Sequence, residues 1–505
     1  MDKEYVIGCD AGTSGTKAVV TDKSGKILAH AYCPYGIITP KNQWAEQWPD
    51  VWLDAVTKTV SEVAKAVDAN KIGAICISAL YGGTGALCDE NMKPIRPSII
   101  WMDRRADKES RYAAESIGED RLFEISCNNT DSYFGYIKLL WVKNNEPDNW
   151  KKIRHILPIH SYIVYKMTGA ITTDYCSAGN IGGIYDYKTH SWSNEICSEI
   201  GIEMSALPEK LMSPTDIGGV LNSEFSKKLG IPKDTPICVG TVDCIASMLS
   251  ASMLNEGDNA AVLGTSLNWG FIQRTLPDDK KLISMPYCVC PEEQSYTYGG
   301  ASTAGALPRW FMTNFMQNES PEAYKSIEDS IVEKGIPAGS EGLIVLPYFM
   351  GERTPIWDES ASGLIIGLSL LHTKEHIFRA ILESTAYSLR HIMESAKKVS
   401  GEKLILVGGG SKSTLWQQIF ADVTGIPVYT PVKTAEAPLG DAFMAALSCG
   451  LVSDYEQIKE WVSFNPPVYP DIQNHEKYNN FYQIYKQLYP TLKDSMNGLK
   501  SLANN

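Results

Sequence analysis

The chain has 505 residues, 44% of them hydrophobic and 21% charged, and a formal net charge of −13. That length allows two or three domains with full cores, and the negative balance argues against nucleic acid and anionic membrane surfaces as partners. No apolar run approaches the ~18 residues that a spanning helix needs, Met1-Asp-Lys-Glu4 carries no apolar signal core, and the twelve scattered cysteines and eight dispersed histidines show no zinc spacing, so a cytoplasmic protein with reduced thiols is expected.

Tyr5-Val-Ile-Gly-Cys9 and Ala18-Val-Val-Thr21 flank Asp10-Ala-Gly-Thr-Ser-Gly-Thr-Lys17. Two short β-rich runs around a Gly/Thr/Ser turn predict a hairpin. Its small residues let backbone N–H groups approach an anion, and the hydroxyls add donors. Lys17 adds charge, and Asp10 at a strand end can hold a hydrated Mg²⁺. The Walker spacing is not met. Ile27 to Tyr32 predicts a third strand, and Trp44 to Asp50 opens a helix through Val67 with Asp50 as its candidate N-cap. A buried strand, Ile72 to Ile77, runs into Ser78-Ala-Leu-Tyr-Gly-Gly-Thr-Gly85, and Gly-rich loops at carboxyl ends of strands are where α/β proteins put ligands. Trp101-Met-Asp-Arg-Arg105 offers an aromatic face beside a carboxylate and guanidinium groups, which suits a sugar or polyol and equally a surface salt-bridge cluster.

Tyr133 to Asn145 reads as an amphipathic helix, and Ile156 to Lys166 as a continuation of helix. The chemical centre is Ile237-Cys-Val-Gly-Thr-Val-Asp243. A carboxylate at this strand-to-helix junction can accept a proton from a hydroxyl that attacks a phosphate; an ordinary helix N-cap is the competing reading. Ala260-Ala-Val-Leu263, Gly264-Thr-Ser266 and Leu267 to Gln273 then repeat the first hairpin, with Gly12-Thr-Ser14 recurring 252 residues later. This frame suggests duplicated halves facing one nucleotide, with two unrelated hairpins as the alternative. Gly305 closes Tyr298-Gly-Gly-Ala-Ser-Thr-Ala-Gly305, ahead of a helix with Trp310. Leu404 to Val407 predicts a strand, and Gly408-Gly-Gly-Ser411 permits close backbone approach to a base or phosphate. Glu436 to Ala442 begins a small-residue helix. Phe481, Ile484, Leu488 and Leu492 form a helical stripe for core packing. The best boundary lies near Leu249 to Asn259, a hinge at which two halves would close on substrate.

Gly363-Leu-Ile-Ile-Gly-Leu368, seven residues, then His376-Ile-Phe-Arg-Ala-Ile-Leu-Glu383 resembles the C-terminal signature of the FGGY carbohydrate kinases, of the sugar kinase, chaperone ATPase and actin superfamily. Tyr133 to Asn145, with Lys138 and Trp141, is similar to the N-terminal signature, departing at Gly135, where the family has Pro, Ser or Thr. The resemblance covers essentially the whole chain. It implies an α/β fold of two RNase H-like, actin-like ATPase domains, 1–250 and 251–505, each with a mixed sheet, flanking a nucleotide and sugar cleft.

The resemblance also implies ATP and Mg²⁺ as cofactors. Gly12, Thr13, Ser14, Thr16 and Lys17, with Gly264, Thr265 and Ser266, would hold the phosphates, Asp10 would assist the metal, and Gly305, Gly408, Gly409, Gly410 and Ser411 would lie along the adenosine. Asp243 corresponds to the general base, and the sugar would meet Tyr81, Gly82, Trp101, Asp103, Arg105 and Asp243. Leu80-Tyr-Gly-Gly83 lacks the Gln and His of the xylulose kinases and the Arg-Glu pair of the glycerol kinases, while Trp101, Asp103 and Arg105 resemble the ketopentose kinases. The expected reaction is phosphorylation of a primary hydroxyl of a ketopentose such as xylulose. Glycerol, erythritol, fuculose and gluconate stay open as acceptors, a non-catalytic ATP switch or a sugar sensor stands as a rival, and a homodimer is admitted.

Overall fold

A computed structural model describes residues 3–396, 401–433 and 436–503; Met1 and Asp2, part of the amino-terminal reading, lie outside them. The chain divides into two compact units. Unit 1 comprises Met1–Glu256, Ile272–Thr297 and Ala435–Ser463, and unit 2 comprises Gly257–Phe271, Tyr298–Thr434 and Phe464–Asn505. The first passage falls inside the stretch 249–259. The two later returns of the chain to unit 1 carry no sequence signal of their own.

Unit 1 is built on strands β1 (Tyr5–Ala11), β2 (Gly15–Asp22), β3 (Ile27–Pro34), β4 (Ile72–Ala79), β5 (Ile217–Val220), β6 (Pro236–Cys238) and β7 (Thr241–Val242). Their order is β5-β6-β4-β1-β2-β3, with β7 also paired to β4. The sheet is mixed: β1 is antiparallel to β2 and parallel to β4, which is parallel to β6 and β7. All eight residues of β4 are buried, as expected of a central parallel strand covered on both faces. Edge strand β3 keeps only Ala31 fully buried.

The Ala437–Ser448 helix packs against this sheet. A Cβ at Gly8 would stand 2.0 Å from Pro438 O, and one at Gly440 would stand 2.0 Å from Ala246 O. The helix therefore touches β1 at one glycine and the Asp243–Ser250 helix at the other, and neither position tolerates a side chain.

Unit 2 repeats the plan with β8 (Asn259–Leu263), β9 (Leu267–Gln273), β10 (Ser295–Ala301), β11 (Leu404–Val407) and β12 (Val428–Tyr429). Within a six-stranded sheet, whose remaining strand Ile283–Pro286 lies beside β10, the run β10-β9-β8-β11-β12 mirrors β3-β2-β1-β4-β6. Again the hairpin is antiparallel, and its first strand is parallel to a strand from much later in the chain. Both predicted hairpins are present.

Several local expectations are corrected. The helix expected from Asp50 spans Pro49–Ala64; Pro takes the first turn, where its missing N–H costs nothing, and the Asp50 carboxylate accepts from Tyr162 Oη at 2.7 Å. Ile156 to Lys166 is not one helix: His155–Leu157 is a strand, and Pro158 precedes the Ile159–Thr168 helix. In the Ile472–Ala503 helix the fully buried stripe is Tyr478, Tyr482, Tyr485 and Tyr489, while Ile484 is exposed. Three of these hydroxyls find partners inside: Tyr478 Oη donates to Glu383, Tyr485 Oη lies 3.1 Å from Ser388 Oγ, and Tyr489 Oη donates to Asp358.

The Lys374–Ser395 helix carries the C-terminal signature. Its Arg379 and Glu383 pair at 2.8 Å, and Tyr478 Oη donates to Glu383 at 2.8 Å while accepting from Arg379 at 3.0 Å. Glu383 also accepts from Gly339 N and Ser340 Oγ, each at 3.0 Å. These residues tie one helix to two neighbouring segments of unit 2. Glu383→Ala leaves the Arg379 guanidinium buried without its counter-charge, so unit 2 should lose about 3–5 kcal/mol; a urea titration that leaves its midpoint unchanged would contradict this.

Candidate active site

Strand register assembles the chemistry in unit 1. Asp10 pairs with Ser78 across β1 and β4, and Thr241 pairs with Ser78 from the other side. Asp243 follows Thr241 by two residues and is the first residue of its helix, with Val242 at the cap position. Its carboxylate accepts from Cys244 N at 2.6 Å, not from the N–H groups one turn on that a cap would serve. Asp10 and Asp243 are each half-buried. Loss of solvent raises both carboxyls, that of Asp243 to about 6, and the Asp243 charge pushes Asp10 up further.

Two carboxylates destabilising each other in this way fit a divalent cation. Among the described residues no group of three or more His, Cys, Asp or Glu side chains gathers at a metal position. A half-buried carboxylate such as Asp10 has the hard oxygen donors that Mg²⁺ takes from protein, its other ligands being waters and phosphate oxygens.

The turn after β1 is a cradle of small residues. Gly12 N donates to Gly15 O at 3.2 Å, Thr13 is half-buried and Ser14 is exposed. Thr16 Oγ1 is turned inward to Tyr35 Oη at 3.1 Å. Lys17 is exposed and pairs with Glu436 at 3.0 Å. The expected sugar side adjoins this turn: Trp101 Nε1 donates to Thr13 Oγ1 at 3.0 Å, and Gln47 Nε2 donates to Thr13 O at 2.8 Å. Gly82, at φ +75°, leaves room for the Tyr133 ring and Trp101. Tyr81 is buried beside it.

Lys138 of the N-terminal signature explains how these pieces are held. Its side chain is fully buried, and Nζ donates to the carbonyls of Gly82 at 2.8 Å, Trp101 at 3.2 Å and Tyr133. Burial and the neighbouring Arg104 charge pull its pKa well down, and the Asp103 and Asp131 carboxylates work against that. Asp103 and Arg105 turn away from the surface. Asp103 is 0% exposed and accepts from Ala45 N at 2.6 Å and from Arg105 Nη2 at 2.7 Å. Arg105 also pairs with Glu46 and lies 3.7 Å over the Trp44 ring. The pair braces the turn below Trp101, because each satisfies the other's charge in a dry setting.

Behind Asp243 stands a group without a role in the sequence reading. Asp174 accepts from Thr241 Oγ1 at 2.8 Å and from Cys176 N and Ser177 N, and its other oxygen lies 3.2 Å from His160 Nε2. Burial works to raise this carboxyl, but His160 and the hydroxyls outweigh it and hold it low. The strand end that leads to Asp243 is fixed by these bonds.

In unit 2 a cavity of about 530 Å³ is lined by Gly264, Thr265, Gly305, Gly409 and Gly410, with Arg309, Trp310, Thr313 and Asn314 completing the wall. Ser266, Gly408 and Ser411 flank it. The turn carbonyls accept from Ala304 N, Gly305 N and Ala306 N. A Cβ at Gly305 would clash with Gly264 O at 2.5 Å, and Gly408 sits at φ +96° against Leu263 O, whereas Gly409 faces open space. A glycine-lined cavity of this size fits a nucleotide. The wall from Arg309 to Asn314 had only Trp310 to announce it, since a helix face shows no ligand signal before the loops are placed. Glu352 supports the rim: it accepts from Ser302 N and Arg353 N at 2.8 Å, and burial raises its carboxyl to about 7.

The model of the N-terminal domain of the FGGY family of carbohydrate kinases matches residues 5–250, and that of the C-terminal domain matches residues 259–449. The chain belongs to the FGGY family of carbohydrate kinases. Such kinases draw the phosphoryl group from ATP. This carbohydrate kinase is 30% identical to the xylulose kinase of Bacillus subtilis over 99% of its own length and 100% of that protein's. Two solved structures from Lactobacillus acidophilus, a ligand-bound xylulose kinase and a gluconate kinase, each match with a TM-score of 0.91 at 26% identity, covering 98% of this chain and 99% of theirs. The two-unit α/β fold of the carbohydrate kinases is thus this chain's fold.

Lys138→Met keeps the bulk and removes the donors. Amide exchange at residues 80–83 and 101–103 should quicken relative to wild type while residues 404–407 stay protected; uniform exchange across both regions would deny Lys138 its local role.

Proposed function

We propose that this carbohydrate kinase transfers the γ-phosphoryl of ATP to a primary hydroxyl of a ketopentose such as xylulose, with Asp243 as general base. The observation that carries the reading is the half-open Asp243 carboxylate at the end of a fixed strand, beside Asp10 and raised toward neutrality. A base is most useful when its pKa lies near the working pH. The proton of the attacking hydroxyl passes to an Asp243 oxygen as the new O–P bond forms, and ADP leaves with the bonding electrons of the broken P–O bond.

Trp101, Tyr81 and Gly82 would form the sugar wall, with Asp103 and Arg105 holding its turn. Gly12, Thr13, Ser14, Thr16 and Lys17 would serve the phosphates, as would Gly264, Thr265 and Ser266. Gly305, Gly408, Gly409, Gly410 and Ser411 would receive the adenosine. Asp10 would hold Mg²⁺, which when bound neutralises phosphate charge. Residues 1–250 would thus carry the sugar side, the first phosphate turn and the base, and 251–505 the second turn and the adenosine site. Preorganised donors and positioning would supply most of the rate. A cytoplasmic site of action is supported by twelve free cysteines, and among the described residues no helix is long and apolar enough to cross a membrane. Whether the chain forms a homodimer is a question for light scattering.

A sugar acid is the second reading, favoured by the equal structural likeness to the gluconate kinase. A coupled ADP assay over xylulose, ribulose, glycerol, erythritol, fuculose and gluconate decides between them. Turnover of gluconate with none of xylulose would replace the first reading by the second.

Asp243→Asn should lower kcat by about 10²–10⁴-fold with little change in KM; turnover near that of wild type would remove Asp243 from the base role. The wild-type kcat/KM should fall on the acid side with an apparent pKa near 6, since the carboxyl is protonated, and useless as a base, below that value. An acid limb at the ordinary carboxylate position, about 4, would contradict the assignment.

A further inference from the structure

Ser78 stands between two carboxylates of unit 1. Its Oγ lies 2.7 Å from Asp441 Oδ2 and 3.3 Å from Asp10 Oδ1. A hydroxyl has one proton to give and two lone pairs to receive with, so it cannot donate to both acids. Asp441 is 0% exposed, and its Oδ1 is buried with no partner among the described residues. No lysine, arginine or histidine among the described residues pairs with it, and the ionisable groups nearest in effect are Asp10 and the Cys238 thiol. A charged Asp441 would sit in a dry space facing another carboxylate.

Its location is not loose. The helix that carries it is pressed onto β1 at Gly8 and onto the Asp243–Ser250 helix at Gly440, so Asp441 is held beneath the Asp10 strand by two contacts with no spare room. Asp10 Oδ2, the oxygen away from Ser78, faces the turn, 3.5 Å from where a Gly12 Cβ would stand.

We propose that Asp441 is a positioning residue for phosphoryl transfer: it donates its own proton to Ser78 Oγ, which turns the Ser78 hydroxyl onto Asp10 Oδ1 and fixes Asp10 with Oδ2 presented to the Gly12 turn. The chain of bonds runs one way, Asp441 to Ser78 to Asp10, with Asp10 Oδ1 as its last acceptor. Burial and the Asp10 charge both hold the Asp441 carboxyl well above the usual carboxylate range, in keeping with that direction. The proposal rests on Asp10 as the metal-side carboxylate. It adds what keeps that carboxylate in one orientation, as groups behind a metal ligand commonly do.

The test uses the full chain and four variants: S78A, D441A, D441N and S78A/D441A. Two readouts are taken: Mn²⁺ binding in the presence of ADP, followed by electron paramagnetic resonance, and kcat and KM with the sugar that the wild type turns over. S78A and D441A should each weaken Mn²⁺ binding and lower kcat by about 10- to 100-fold, with the sugar KM little changed. The double variant should be no worse than either single one, because both act through one chain of bonds. D441N should restore most of both readouts, since an amide N–H donates to Ser78 as the carboxylic acid does. Wild-type Mn²⁺ binding and kcat in S78A would overturn the proposal, as would D441N as damaged as D441A or additive losses in the double variant. If D441A does not fold, S78A and D441N still decide. If the wild type binds no Mn²⁺ with ADP, the metal reading of Asp10 fails; if D10N abolishes that binding while S78A leaves it intact, the metal reading stands and the proposal on Asp441 falls.

Discussion

Three carboxyl groups share a small, poorly solvated region of unit 1, and no basic side chain among the described residues lies deep enough to neutralise them. Lys17, the nearest cation in sequence to Asp10, is exposed and paired with Glu436. Water solvates an isolated carboxylate well and a protein interior does not, so the charge state of Asp10, Asp243 and Asp441 is governed by how much solvent each retains and how near the others stand. Asp10 and Asp243 keep part of their surface open, whereas Asp441 keeps none. Much of unit 1 can be read as the means of holding these three at fixed separation: the parallel register of β1, β4 and β7, the Asp174 bonds behind Thr241, and the glycine contacts of the Ala437–Ser448 helix.

The signature segments of the family acquire physical meaning from this arrangement. Lys138 is a buried donor whose three carbonyl partners come from three separate segments. A buried ammonium is expensive, and a methylene chain of the same length would pack more cheaply. The lysine is there because carbonyls from a turn and two loops need one common donor. Arg379 and Glu383 do the equivalent in unit 2 around Tyr478. Neither signature supplies a group at Asp243 or in the glycine-lined cavity; Lys138 holds the backbone at Gly82 and Trp101, and Glu383 that at Gly339 and Ser340.

Much of this was legible in the sequence where chemistry is local. A hairpin with a Gly/Thr/Ser turn writes itself in alternating residue types, and both hairpins stand where they were read. Asp243 at a strand end was legible for the same reason. Asp103 and Arg105 were ambiguous because a carboxylate beside a guanidinium looks alike whether the pair faces a ligand or itself; burial decides, and burial is a tertiary property. Asp441 was illegible, since Gly440-Asp441-Ala442 in a small-residue helix gives no hint that a strand more than 350 residues earlier will stand above it. In the last helix, apolar spacing singled out Ile484, yet tyrosines took the inner face, three of them with hydroxyls that met partners in other elements.

The return of residues 435–463 to unit 1 bears on how the chain is made. Gly8 lies on β1, yet the helix packed on it is translated more than 420 residues later. Domains ordinarily fold as units, the amino-terminal one first during synthesis. Here that order is blocked: the underside of β1 waits uncovered until the Ala437–Ser448 helix has emerged. A fragment that stops at residue 250 therefore lacks a piece of this unit's interior.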